Sequence, residues 1–254
     1  LLHEAGVPRD VLQLLPGGPS VGAALTSDPR VSGVAFTGST ATALKIRAAM
    51  ADNLRPGTPL IAETGGLNAM IVDSTALPEQ AVRDVLASAF QSAGQRCSAQ
   101  RMLYIQDDVY DEMLEMIRGA FDALNVGDPA LMHTDVGPVI DPDAKAALER
   151  HVARRKKSGA NVWRHKLPRD TSKGCFVAPA IIEVTSILDL KRENFGPILH
   201  VARFASEDLG KVIGDINATG FGLTLGLHSR IAATKRFIEQ RARVGNFYVN
   251  RNQI

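Results

Sequence analysis

With 254 residues, 45% hydrophobic and 22% charged, the sequence holds enough apolar side chains for a sizeable core, which excludes a disordered or collagen-like chain. Its 29 basic and 27 acidic residues leave a net charge of +2, and aromatics are 5% of the chain, so neither the charge nor the stacking surface of a nucleic-acid binder is evident. Two cysteines cannot frame a secreted disulfide scaffold and no run reaches the roughly twenty apolar residues of a membrane span, so the expectation is a reducing, cytoplasmic setting, with peripheral membrane association of a longer parent left open.

Short β-branched runs alternate with longer amphipathic ones, the pattern of an α/β fold with mainly parallel strands. Val11 to Leu15 reads as the first strand. Pro16 to Gly22 follows it, either as a plain Gly/Pro turn or as a nucleotide-contacting loop. Gly33 to Phe36 reads as a buried strand that runs through Phe36-Thr37-Gly38-Ser39-Thr40 into a helix over Ala41 to Met50. A glycine and hydroxyls at a strand-to-helix turn offer free N–H groups and the positive end of a helix dipole to a phosphate; an ordinary N-cap at Ser39 or Thr40 explains the same residues. A composition break near Gly65-Gly66 sets the expected lobe boundary, with lobes over 1–66 and 67–254.

Beyond it, Ala69 to Val72 is a strand, and Pro78 to Phe90 is a helix whose stripe of Ala81, Val82, Val85, Leu86, Ala89 and Phe90 faces the core. Met102 to Ile105, Ile181 to Val184, Ile198 to Phe204 and Phe247 to Asn250 read as strands. Val109 to Leu124, Asp143 to Lys157, Leu209 to Ile216 and Ala232 to Arg243 read as helices. Arg164 to Lys173 is a surface connection, and the basic run Arg154 to Lys157 is the solvated end of its helix rather than a nucleic-acid patch. The absence of a methionine at Leu1 and of a terminal turn at Ile254 suggests a segment of a longer chain.

Three places carry candidate chemistry. The first is the phosphate-like turn at Gly38. The second is Glu63-Thr64-Gly65-Gly66-Leu67-Asn68, where a carboxylate flanked by Leu60, Ile61 and Met70 is expected to be partly buried, either as a general base or paired with a neighbouring cation. The third is Ser92-Ala93-Gly94-Gln95-Arg96-Cys97-Ser98-Ala99, a Gly-containing loop in which N–H donors or Arg96 could favour a thiolate; an inert packed cysteine is the alternative. Cys175 has no such context. The six histidines show no ligand spacing, so no metal site is expected.

Taken together, Phe36-Thr37-Gly38-Ser39, Glu63-x-Gly-Gly-x-Asn68, Gly94-Gln-x-Cys97 and Glu193-x-Phe195-Gly-Pro197 stand in an order and separation that resembles the NAD(P)-dependent aldehyde dehydrogenase superfamily. Gly127-Asp-Pro129, Gly137-Pro138, Gly174-x-Phe176, Phe221-Gly-Leu223 and Gly245-Asn-Phe-Tyr-Val-Asn250 extend the resemblance over essentially the whole chain. The wording of the Glu63 and Cys97 motifs and of the last strand, with Ala43 where many relatives carry a second glycine, is similar to the glutamate semialdehyde (pyrroline-5-carboxylate) dehydrogenase domain of the bifunctional proline utilization A family.

The resemblance implies an aldehyde-dehydrogenase-like fold, with part of a Rossmann-type NAD-binding lobe and an α/β catalytic lobe built on a parallel sheet. It implies Cys97 as nucleophile and Glu63 as the base that activates water. Thr37, Gly38, Ser39, Thr64 and Gly65 would contact NAD, Gly18 and Gly22 would line its adenosine side, Glu193 would bind the nicotinamide ribose and Phe195 would wall the nicotinamide. Ser98 would help hold the carboxylate of glutamate semialdehyde. The family's second oxyanion donor, its ribose lysine and its substrate-anchoring loop would lie outside these residues. A homodimer is implied, as is a possible upstream proline dehydrogenase domain with FAD. Two other readings are a sibling enzyme for another aldehyde and a non-catalytic dimerisation module, the latter disfavoured by the presence of both Cys97 and Glu63.

Overall fold

The computed structural model describes residues 1–254 and divides into two units, Leu1–Thr64 and Gly65–Ile254. The first contains α1 (Pro19–Thr26), β1 (Val34–Thr37), α2 (Thr40–Asn53) and β2 (Leu60–Glu63). β1 and β2 pair in parallel with α2 as the connection, and Thr37 sits in register with Glu63, so both residues end their strands side by side. Ser39 caps α2, its Oγ accepting the Thr42 N–H at 3.1 Å, which is the ordinary N-cap the sequence allows.

Two expectations fail in this unit. Val11 to Leu15 forms no strand: no partner strand runs beside it and Val11, Leu14 and Leu15 are exposed. Pro16 to Gly22 is not a single turn, because Pro19 starts α1 with Gly18 as its N-cap and Gly22 inside it. Proline's fixed φ suits a first helical turn, and its missing N–H would have had no partner there.

The second unit contains β3 (Ala69–Val72), α3 (Pro78–Phe90), β4 (Met102–Gln106), α4 (Tyr110–Asp122), α5 (Pro142–Lys157), β5 (Val162–Arg164), β6 (Ala180–Glu183), β7 (Ile198–Phe204), α6 (Leu209–Ala218), β8 (Thr224–His228), α7 (Ala232–Glu239) and β9 (Asn246–Val249). They build one sheet in the order β5-β6-β7-β4-β3-β8-β9, parallel throughout except for the antiparallel edge pair β5 and β6. Successive residues of a strand point to opposite faces, and here both faces are covered. Met70, Val72, Leu103 and Ile105 pack under α3 and α4 with Phe90, Ile117 and Phe121, whereas Ala69, Ile71, Met102 and Tyr104 pack on the other side with Val212, Ile213, Ile216 and Ile238. Each such buried large side chain stabilises the unit by roughly 1.5–3 kcal/mol relative to exposure. Leu148 and Val152 of α5 close a third cluster over Ala180, Ile182 and Ile198.

The run Arg154 to Lys157 forms the last turn of α5, where positive charge meets the negative end of the helix dipole. Arg164 to Lys173 is more ordered than a plain connection, since Arg164 ends β5 and Arg169–Lys173 form a 3-10 turn. No helix is long and apolar enough to cross a membrane.

Candidate active site

In the first unit the candidate residues gather at the C-terminal ends of the two strands. The Gly38 N–H donates to the Glu63 carbonyl at 3.1 Å, tying the turn to β2. Gly38 leaves room for the Phe36 ring, since a Cβ there would fall 2.5 Å from its Cζ and the ring would have to turn aside. With Thr42 N–H taken by Ser39, the Thr40 and Ala41 N–H groups open α2 without a protein acceptor. Glu63 is exposed, contrary to the burial expected from its apolar neighbours: β2 ends a two-stranded sheet in which Ile61 is itself 62% exposed. Thr64 follows at the end of this unit and is half-buried. Around Gly18 and Gly22 on α1 there is open space at the Cβ position.

In the second unit the candidates gather at the opposite ends of the strands, where the chain enters the sheet. Asn68 precedes β3, the Cys97 loop precedes β4, Glu193 to Gly196 precede β7, and Thr224 begins β8. Cys97 is exposed, in a loop that leaves α3 through three successive left-handed residues, Ser92 (φ 55°), Ala93 (φ 53°) and Gly94 (φ 64°). Two of these are not glycine, and such conformations cost of order 1–3 kcal/mol each unless the surroundings hold them.

The loop's carbonyls are held by donors behind it. Asn68 Nδ2 donates to the Cys97 carbonyl at 2.7 Å and to the Ala99 carbonyl at 2.9 Å. Arg101 Nη1 donates to the Gly94 carbonyl at 2.6 Å, and Nη2 to the Arg96 carbonyl at 3.1 Å. Thr224 Oγ1 reaches the Ser98 carbonyl at 3.5 Å. The Cys97 N–H has no protein acceptor. A loop whose carbonyls are consumed from behind while the N–H of its exposed cysteine stays unpaired can meet negative charge.

The cation at this loop is Arg101 rather than Arg96, whose Nε donates to Ser92 Oγ at 3.1 Å. Arg101 is fully buried; burial lowers its pKa and the Glu193 carboxylate opposes that shift. Its Nη2 meets Glu193 Oε1 at 3.0 Å. The other oxygen, Oε2, lies over Gly65, where a Cβ would come within 1.6 Å of it. Phe195 is 43% exposed beside Arg101, whose Cζ stands 5.2 Å from the ring centroid. Ser98 is half-buried, and its side chain has no hydrogen-bond partner within the chain.

Cys175 is half-buried against the third core cluster, its carbonyl accepting the Val139 N–H, and both cysteines are free thiols. Sequence reasoning gave Asn68 no separate role and overlooked Arg101. The available signal for Arg101 was a charged residue set directly ahead of the apolar run Met102 to Ile105.

The sequence model described as "Aldehyde dehydrogenase family" matches residues 1–254. The bifunctional protein PutA of Klebsiella aerogenes is 52% identical over 263 aligned residues, covering 100% of this chain and 20% of that protein. A crystal structure of bifunctional proline utilization A (PutA) protein superimposes with a TM-score of 0.95 at 53% identity, covering 100% of this chain and 26% of that one. A 1-pyrroline-5-carboxylate dehydrogenase structure follows at TM-score 0.89 and 34% identity, covering 99% of this chain and 49% of that one. The chain thus spans about a fifth of the length of the PutA relatives it matches.

Proposed function

The chain belongs to the aldehyde dehydrogenase family, and from that premise we propose that it oxidises L-glutamate γ-semialdehyde, the open form of pyrroline-5-carboxylate, to glutamate with NAD as acceptor. The observation that carries this reading is the Cys97 loop, exposed, with its carbonyls held from behind and its own N–H unpaired. The region Leu1–Thr64 then belongs to the cofactor-binding lobe and Gly65–Ile254 to the catalytic lobe.

Each unit, taken by itself, carries residues that suit part of NAD. The Thr40 and Ala41 N–H groups at the start of α2, beside Gly38 and Ser39, suit a pyrophosphate. Glu193 has one oxygen fixed by Arg101 and Oε2 free of protein donors, which suits a ribose hydroxyl. NAD would supply the acceptor for the two electrons and hydrogen that leave the aldehyde carbon.

Cys97 Sγ attacks the aldehyde carbon, forming the C–S bond as the carbonyl electrons move to oxygen. The unpaired Cys97 N–H lies on the attacking residue itself and donates to that oxygen as charge develops. After oxidation the substrate remains on Cys97 as a thioester. Glu63 takes a proton from the water that cleaves it, and its exposure leaves the carboxylate open to solvent. Ser98, next to the nucleophile, is placed to help hold the substrate carboxylate. The wider reading is a homodimer whose parent chain also carries an FAD-dependent proline dehydrogenase domain, in keeping with the bifunctional PutA relatives.

The deciding experiment is NADH formation by the full-length native polypeptide with glutamate semialdehyde, set against succinate semialdehyde and aliphatic aldehydes, with Cys97→Ala as control. Preference for glutamate semialdehyde, lost in the control, is expected. Turnover unaffected by the substitution would refute the mechanism whatever the substrate.

A further inference from the structure

Arg101 stands immediately before β4 with its side chain wholly inside the protein. Burying an unpartnered ion is costly, so a guanidinium in this position must be met on every side. Nη1 and Nη2 reach the Cys97 loop, at the carbonyls of Gly94 and Arg96 respectively. The same two nitrogens, with Nε, reach the Glu193–Gly196 segment, at Glu193 Oε1 through both Nη2 (3.0 Å) and Nε (3.4 Å) and at the Gly196 carbonyl through Nη1 (3.4 Å). The two segments also touch directly: Gly94 backs onto Gly196 so closely that a Cβ on Gly94 would fall 2.3 Å from the Gly196 carbonyl oxygen. Behind Arg101, its own carbonyl accepts both the main-chain N–H of His200 at 2.9 Å and the ring Nδ1 of His200 at 3.0 Å, which fixes the point from which the side chain departs.

We propose that Arg101 is a positioning residue that fixes the Glu193 carboxylate against the Cys97 loop, so that one buried guanidinium sets both the grip on the cofactor ribose and the placement of the nucleophile. This rests on the reading above, in which Glu193 binds NAD. Arginine is suited to the task because its planar fork addresses a carboxylate and several carbonyls at once, whereas the lysine ammonium is a compact charge with three donors at one point. Lysine keeps the charge and loses the bridge.

The test is Arg101→Lys in the full-length native polypeptide, with NAD affinity by calorimetry, the KM values for NAD and aldehyde, and the melting temperature. A tenfold or greater weakening of NAD binding is expected, with the aldehyde KM within twofold of wild type. Because Arg101 acts on the cofactor through Glu193, Glu193→Gln should weaken NAD to a similar degree, and the double variant should bind NAD within twofold of Glu193→Gln alone. Unchanged NAD affinity in Arg101→Lys, or losses that multiply in the double variant, overturns the proposal, whatever happens to the melting temperature. If Arg101→Lys yields no folded protein, amide exchange decides: NAD should slow exchange across residues 92–99 in the wild type and fail to do so in NAD-saturated Glu193→Gln, and equal protection in both overturns it. A wild type that binds no NAD sinks the functional reading and the inference with it; a wild type that binds NAD alongside an equally tight Arg101→Lys sinks the inference alone.

Discussion

His151 of α5 and His200 of β7 meet ring to ring inside the second unit, Nε2 to Nε2 at 2.9 Å. The second contact of His200 fixes the protons: its Nδ1 faces the Arg101 carbonyl, which can only accept, so Nδ1 carries hydrogen and Nε2 of the neutral ring accepts from His151. Both rings are held neutral. Burial depresses His151 to about 4, helped by Arg155, Arg154 and Arg192, and burial depresses His200 to about 3, helped by His151, Arg155 and Arg101.

A pH dependence of stability follows. In the unfolded chain each ring takes its proton near 6.5, while in the folded protein neither does so until about 4 or below. Between those values the unfolded state binds more protons. Stability is therefore full above pH 6.5 and falls as the pH drops towards 4, with a slope of about 1.4 kcal/mol per pH unit for each unmatched proton. His151→Gln keeps an N–H donor and removes a titrating group, so urea denaturation between pH 7.5 and 5 should show a shallower loss than wild type. Parallel slopes would count against the pair.

Gly94 and Gly159 both have positive φ, at 64° and 86°, but differ in surroundings. A Cβ on Gly94 would meet the carbonyl oxygens of Gly196 at 2.3 Å and Ala89 at 2.9 Å, whereas one on Gly159 would meet nothing within 4 Å. Gly159→Ala should cost only the left-handed conformation, about 1 kcal/mol, and leave turnover intact. Gly94→Ala should in addition push the Cys97 loop from the Glu193–Gly196 segment. Its turnover should fall roughly a hundredfold, since an error of about 1 Å in placing reacting groups has that effect. Equal kinetic behaviour of the two variants would refute this account of the loop.

The strands that the sequence reveals and those it conceals differ for physical reasons. β3 is an unbroken apolar run, β4 is one as far as Ile105, and β7 is apolar apart from His200 and Arg203, so their pattern is plain. β8 is hidden by Gly226, which looks like a turn residue but is small because the Met70 side chain would lie 3.0 Å from a Cβ there. β2 is hidden by its brevity and its Gly-Gly neighbour. Val11 to Leu15 has the composition of a strand but no neighbouring strand to pair with. At the site, the order of the motifs placed Cys97 between a helix and a strand, where the structure has it between α3 and β4. The partners of Arg101 and Asn68 were not legible, because they depend on four strands starting at one end of the sheet, a juxtaposition that spacing along the chain does not encode.

Asn68 is buried and directs both hydrogens of its Nδ2 at carbonyls of the Cys97 loop, while its Oδ1 accepts the Thr224 N–H at 3.3 Å. Asn68→Asp preserves the shape and replaces the donor with an acceptor facing two carbonyl oxygens. Leaving such buried groups unmatched costs about 1–3 kcal/mol each, more where a charge is involved. The variant should melt well below wild type, and Asn68→Ala, which removes the donor without adding a charge, should be the less damaged of the two at pH 7. The reverse order of melting temperatures would show that the carboxylate finds a partner the present geometry does not offer.

Gly65 begins the second unit directly beneath Glu193, with a Cβ at that position falling 1.6 Å from Oε2 and 2.6 Å from Cδ. The obstacle is the end of a side chain, so Gly65→Ala is accommodated by swinging the carboxylate away rather than by deforming the backbone, and the sheet below need not move. Its φ is not in the left-handed region, so alanine adds no conformational strain. The backbone cost is therefore small, but drawing the carboxylate away leaves the fully buried Arg101 guanidinium without its counter-ion, so stability should fall by about 3–5 kcal/mol. The displaced carboxylate loses its place beside Arg101, and under the proposed cofactor role of Glu193 the KM for NAD should rise about tenfold or more while the aldehyde KM holds. Steady-state kinetics with each substrate varied in turn, beside a thermal melt, separates the two effects. A variant that loses stability and keeps its NAD KM would place the importance of Gly65 in packing, and remove its contact with Glu193 from the account of cofactor binding.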